Sequence, residues 1–207
     1  RHLGMRPYAE TVERMQAFTE SRDVTIHDEI WLLQHPPVFT QGLAGKAEHV
    51  LAPGNIPVVQ TDRGGQVTYH GPGQLVVYFL IDLRRMDIGI RTLVSRLELS
   101  VIATLAEYGI SAATRADAPG VYVDDAKICS IGLRVRRGCT YHGIAFNIAM
   151  DLEPFARINP CGFRNLKIIQ LADFVPEITI PTISLRLIPH LSEKFGYTVA
   201  SQVTEEE

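Results

Sequence analysis

Hydrophobic and polar positions along this chain follow two periods, and the switches between them outline the elements. Tyr8, Val12 and Met15 recur at helical spacing behind Pro7, which suits a helix with proline just inside its start. Glu29–Gln34 reads as a strand ended by Pro36-Pro37. Val58–Thr61 and Gln66–Tyr69 read as short strands around a Gly64-Gly65 turn. After a second turn at Gly71-Pro72-Gly73 comes the apolar run Leu75–Leu83, a buried strand by composition. The helical period returns at Leu93, Val94, Leu97, Val101, Ile102 and Leu105, with Gly109 placed to follow the helix end. From Gly120 the period is two again: Val121 and Val123, a turn at Asp124-Asp125, then a strand pair over Lys127–Arg137 and Thr140–Met150. Thr182–Phe195 has helical spacing at Leu187, Ile188 and Leu191, and Pro189 is expected to kink or split it. Strands in runs with few helices between them predict an α+β fold. No repeat or Ser/Gly linker divides the chain, so one domain over residues 1–207 is expected.

Alternation within the last two strands sorts their side chains. It places Lys127, Cys129, Ile131, Leu133 and Val135 on one face, with Ile128, Ser130, Gly132, Arg134 and Arg136 on the other. A lysine drawn onto an apolar face needs an anionic partner, because burial alone disfavours its charge; one that snorkels to water does not. On the next strand Thr140, His142, Ile144, Phe146, Ile148 and Met150 share a largely apolar face. The opposite face, Gly143, Ala145, Asn147 and Ala149, leaves room for a packed element or a slender acyl chain.

Composition narrows the classes. The 207 residues are 46% hydrophobic with a formal charge of only −3, which gives no general pull towards nucleic acid or membrane surfaces. No apolar run approaches the ~20 residues that span a bilayer. Three cysteines, Cys129, Cys139 and Cys161, form no CxxC pair, so neither a disulfide framework nor a metal site of common spacing is expected. A reducing, cytoplasmic setting fits.

Two segments carry candidate chemistry. Arg63-Gly64-Gly65-Gln66-Val67-Thr68-Tyr69-His70 packs ionisable and polar side chains against a glycine turn whose amides can approach a ligand or an oxyanion; the same residues also suit an ordinary hairpin. Cys161, between Pro160 and Gly162, sits at a turn rather than in a strand, where a thiol is better placed to react than to fill a core. A pairing of Cys161 with His70 or His142 is open at this level.

Taken in order, Gly42–His49, Arg63–Gln74, Arg115–Val123, Lys127–Arg134 and Arg157–Gly162 resemble the octanoyltransferase family, also called lipoyl(octanoyl) transferase or lipoate-protein ligase B. The resemblance implies the core of class II aminoacyl-tRNA synthetases and biotin protein ligases, a larger and a smaller β-sheet flanked by helices. It implies transfer of octanoyl from acyl carrier protein to a lysine of lipoyl domains, those of 2-oxoacid dehydrogenase complexes and of glycine cleavage H protein. No cofactor beyond the carrier's phosphopantetheine is implied, and no metal. Cys161 matches the thioester-forming nucleophile and Lys127 the lysine that activates it. Arg63, Gly64, Gly65, Gln66, Val67, Thr68, Tyr69 and His70 match a substrate-binding loop, as Ser130, Ile131 and Gly132 and then Gly143, Ile144 and Ala145 match two further substrate-lining segments. After Gly162 the chain reads Phe163-Arg164-Asn165-Leu166-Lys167, where many members continue with a second glycine and a Thr-Ser pair. An ATP-dependent lipoate or biotin-type ligase and a non-catalytic acyl- or lipoyl-domain-binding module are the alternatives on the same scaffold.

Overall fold

The computed structural model describes residues 1–163 and 166–198; Arg164 and Asn165, within the departure noted above, lie outside the described residues. In chain order the elements are β1 (His2–Met5), α1 (Tyr8–Ser21), β2 (Glu29–Gln34), β3 (Val38–Gln41), β4 (Val58–Gln60), β5 (Val67–His70), β6 (Gln74–Leu80), α2 (Ile90–Ala106), β7 (Ala113–Thr114), β8 (Gly120–Val123), β9 (Ala126–Arg136), β10 (Cys139–Asn147) and α3 (Ile180–Phe195). Seven strands form a mixed sheet in the order β1-β2-β6-β10-β9-β8-β7, and β4-β3-β5 form a second, smaller one. This is the α+β arrangement expected.

The large sheet is buried on both faces. Leu75, Val77 and Phe79 of β6, with Ile144 and Phe146 of β10, join Leu93, Leu97 and Val101 of α2 and Ile183, Leu187 and Leu191 of α3 in the main core. The alternate β6 residues Val76, Tyr78 and Leu80 pack with Met15 of α1 and with Trp31 and Tyr141. Burial on both sides explains why β6 reads as a continuous apolar run rather than an alternating one.

Three expectations need correction. The strands around Gly64-Gly65 are not a hairpin: β3, which the Pro36-Pro37 stop concealed, lies between β4 and β5, parallel to the first and antiparallel to the second. Prolines at strand entry do not end pairing when their missing N–H falls outside the ladder. Pro189 does not split α3, which runs continuously over Ile180–Phe195. Its ring is on the exposed side, one turn from the 69%-exposed Leu185, where a carbonyl without its helical partner is open to solvent. The third is Lys127. Val121 faces Cys129 but Tyr122 faces Lys127, which leaves Ile128 as an extra residue on β9. Such a bulge re-aims side chains: Ile128 and Cys129 both enter the main core, while Lys127 leaves the face it would share with Cys129. No helix among the described residues is long and apolar enough to cross a membrane.

Candidate active site

Cys161 lies on a 3₁₀ turn, Pro160–Gly162, with φ 57° and ψ 15°. A left-handed backbone at a residue other than glycine costs roughly 1–2 kcal/mol, and persists only where its surroundings impose it. They do so here. The Gly162 N–H donates to the Asn159 carbonyl, and the Asn159 N–H to the carbonyl of His49. Leu51 and Ala52 both donate to the Arg157 carbonyl. The 49–52 segment thus clamps the strand of chain that enters the turn presenting the thiol.

Lys127 reaches that thiol from β9. Its Nζ is 3.1 Å from Cys161 Sγ and 3.1 Å from the Pro119 carbonyl, and lies over the Tyr122 ring at 5.2 Å. The side chain is 2% exposed. Burial by itself pushes the ammonium's pKa down, but the attraction of the Cys161 sulfur and the Tyr122 hydroxyl outweighs it, and Lys127 lies above its ordinary value. The Lys127 stem crosses Gly120 so closely that a Cβ there would stand 2.6 Å from Cε. Of the other two thiols, Cys129 is fully buried and pushed up to about 12, chiefly by burial, and Cys139 is 3% exposed.

Beside Cys161 a narrow cavity of about 60 Å³ runs over the large sheet. Of the residues predicted to bind substrate, Arg63, Gly65, Gln66, Val67, Thr68, His70, Ser130, Ile131, Gly132, Gly143, Ile144 and Ala145 line it. Gly64 and Tyr69 do not. The Tyr69 ring turns to Phe39 and Phe155 in the small-sheet core. The Gly64 N–H donates to the Leu133 carbonyl at 2.9 Å, which commits it against serving as an oxyanion donor. Small residues make the cavity possible. A Cβ on Gly132 would stand 3.1 Å from Arg63 Cδ and from the Gly64 oxygen, and one on Gly143 would strike the Val77 carbonyl.

The loop over the cavity is tied down by Gly42–Ala44. Leu43 donates to Arg63 O and Ala44 to Gly65 O, and a Cβ on Gly42 would come within 2.4 Å of that same Gly65 oxygen. Arg63 itself is buried, and its Nη2 donates to the Thr40 carbonyl at 2.6 Å. Burial pushes this guanidinium below its usual value, with the charges of Tyr8 and Cys161 acting to raise it. A buried cation held by neutral groups gives this wall a positive potential.

Sequence alone gave no place in the cavity to Tyr8, Val76 and Tyr78, and offered His142, which also lines it, only as an open partner for Cys161. His142 was expected on the apolar face of β10. A φ of 60° turns it instead towards Asp62, whose carboxylate its Nε2 meets at 2.9 Å. Its Nδ1 is buried without a hydrogen-bond partner. Asp62 is also the acceptor for Tyr141 Oη and for Gln16, and these contacts, the one to His142 first, hold its carboxyl well below the usual range. Tyr78 Oη pairs with His35 Nε2 at 2.7 Å, and the Tyr8 ring stacks on His70. Nothing in the periodicity signalled these contacts. They come from the inner wall where α1, β5 and β6 converge.

The family profile of the lipoyl protein ligase A/B catalytic domain matches residues 7–192. An octanoyltransferase of Photorhabdus laumondii is 58% identical over 201 residues, 97% of this chain and 94% of its own length. One of Marinobacter nauticus is 57% identical, over 98% of this chain and 95% of its own. Among solved structures, a bipartite lipoate protein ligase studied with its E2 lipoyl domain, from Thermoplasma acidophilum, superposes with a TM-score of 0.78 at 19% identity, over 100% of this chain and 87% of its own. A biotin protein ligase of Aquifex aeolicus superposes with a TM-score of 0.55 at 15% identity, over 95% of this chain and 69% of its own. At such identities the structural likeness concerns the fold.

Proposed function

The chain belongs to the lipoyl protein ligase A/B catalytic family, and on that premise we propose that it transfers octanoyl groups through a thioester on Cys161. Octanoyl transfer in lipoate biosynthesis is the activity of its near full-length relatives, and makes this chain an acyltransferase acting on lipoyl-domain proteins. The observation that carries the covalent route is the 3.1 Å approach of Lys127 Nζ to Cys161 Sγ beside a cavity walled by small residues.

In the first half-reaction the thiolate of Cys161, paired with the Lys127 ammonium, attacks the carbonyl of an octanoyl thioester carried on acyl carrier protein. The new C–S bond forms, and the tetrahedral oxyanion collapses. The carrier's sulfur leaves and takes a proton from Lys127. In the second, the neutral amine of a lipoyl-domain lysine attacks the enzyme thioester. Lys127, now an amine, takes the proton that nitrogen loses, and the Cys161 thiolate returns with its ammonium partner. The buried cation Arg63 lines the same cavity and adds positive potential to it. The carrier's phosphopantetheine delivers the acyl group, and the protein's own residues supply the rest. Lipoyl domains of 2-oxoacid dehydrogenase complexes and the glycine cleavage H protein are the acceptors that fit this chemistry.

The test is intact-mass analysis after incubation with octanoyl-acyl carrier protein without ATP. A hydroxylamine-labile octanoyl adduct mapping to Cys161, discharged by added lipoyl domain, is expected. Full turnover by Cys161→Ser, or transfer that requires ATP and a free acid, refutes the covalent route and favours a ligase.

A further inference from the structure

We propose that Glu98, on α2, is a positioning residue for this reaction: through the Pro119–Gly120 peptide it fixes Lys127 against Cys161. The proposal rests on the reading of Lys127 and Cys161 given above. Three contacts carry it. Glu98 Oε1 accepts from the Gly120 N–H at 3.0 Å. The carbonyl of that same peptide unit, Pro119 O, accepts from Lys127 Nζ at 3.1 Å. Lys127 Nζ in turn meets Cys161 Sγ at 3.1 Å.

A peptide is a rigid plane whose N–H and C=O point in opposite directions. A carboxylate bonded to its N–H therefore sets the direction of its carbonyl, and polarises that carbonyl as an acceptor. Without the anchor, the peptide would be free to turn about its flanking bonds, and the long lysine side chain would lose the contact that fixes its tip.

Glu98 is only 8% exposed, on a helix whose neighbouring Leu97 and Val101 are fully buried. A carboxylate in such a place carries a desolvation cost, which a core-filling role does not explain. Burial raises its pKa, and the Gly120 bond and the Lys127 charge act in the other direction. The local backbone is built around the same crossing. Gly120 has φ +142°, and a Cβ there would stand 2.5 Å from the Cys129 oxygen as well as 2.6 Å from Lys127 Cε. Other ionisable groups act on this cluster: the Tyr122 hydroxyl on Lys127, the Arg63 guanidinium on Cys161 and the exposed Asp117 carboxylate near Lys127. None of them is bonded to the 119–120 peptide.

The experiment is the pH profile of iodoacetamide labelling at Cys161, which needs no acyl donor and so separates this proposal from the transfer reaction. Glu98→Ala should slow labelling roughly tenfold at a fixed neutral pH. Glu98→Gln, whose amide oxygen still accepts from Gly120, should stay near wild type. In a Lys127→Met background Glu98→Ala should cause no further shift. If Glu98→Ala does not fold, Glu98→Leu replaces it. A folded Glu98→Ala or Glu98→Leu protein with the wild-type profile overturns the proposal. So does a Glu98→Gln shift as large as that of Glu98→Ala, or a full shift in the absence of Lys127. Failure of acyl-adduct formation at Cys161 would instead overturn the transfer reading and leave these profiles interpretable.

Discussion

Replacing Lys127 by Met keeps most of the stem volume and removes the charge that faces Cys161. At the 3.1 Å separation of Nζ and Sγ, an effective dielectric of about 20 gives a gross attraction of about 5 kcal/mol. Burying both groups consumes a part of this, several kcal/mol per ion in unfavourable cases. A net effect of about 2–3 kcal/mol in favour of the thiolate remains as an order of magnitude. The assay is the rate of iodoacetamide labelling across pH, read by peptide mass. Cys129 and Cys139, at 0% and 3% exposure, stay unlabelled in the native state, so the profile belongs to Cys161. Labelling at neutral pH is expected to fall about 30- to 100-fold. Thermal stability should hold or increase, because an apolar group of similar size replaces a buried charge. Loss of reactivity without loss of stability separates an electrostatic role from unfolding. An unchanged profile in a folded Lys127→Met protein refutes the reasoning.

Other outcomes follow from the same structure. His35 is buried and pushed down to about 4 by burial, and burial lowers His70 and His142 as well. The unfolded chain therefore binds more protons, so the stabilisation they give as neutral rings is complete above about pH 6.5 and is lost as pH falls towards 4. Urea midpoints should decline over that interval, and a flat response down to pH 4.5 would contradict the assignment. Leu187→Ala empties a fully buried position between α2 and the large sheet, and should cost about 2–5 kcal/mol in chemical denaturation; a cost below about 1 kcal/mol would mean that α3 is loosely docked. Gly132→Val should press on Arg63 and the Gly64 carbonyl, since even a Cβ there stands 3.1 Å from each. Acyl-enzyme formation should fall more than tenfold while Cys161 labelling persists; normal acylation would place the acyl chain elsewhere. Arg134 and Arg136 lie on the exposed end of β9, where Arg136 already pairs with Glu20 at 2.8 Å. If this end docks acidic carrier or lipoyl domains, the Michaelis constant for protein substrate should rise with salt, and an unchanged constant removes the idea.

Much of this protein was legible along the chain. The apolar run of β6, the helical spacing of α2 and α3 and the paired alternation of β9 and β10 are local signals, because a strand or helix buried on a given face must repeat its apolar residues at its own period. The glycines of the cavity wall and the turn around Cys161 were visible for a similar reason: only small or left-handed residues fit there, and their types mark the place. What one period cannot encode is where the period breaks. An extra residue at Ile128 turned Lys127 from the core towards Cys161. A left-handed φ at His142 turned its ring from the apolar face to Asp62, 80 residues away in sequence. The insertion of β3 between β4 and β5 separated two strands that read as one hairpin. Glu98 gave no sign at all, because on α2 it occupies one more buried position in a helical stripe. Each of these depends on contacts that exist only when distant segments pack together. Local pattern therefore fixes which elements form and which side chains are available. Only the packed sheet and helices, with their bulges and clamped turns, decide which of those side chains meet.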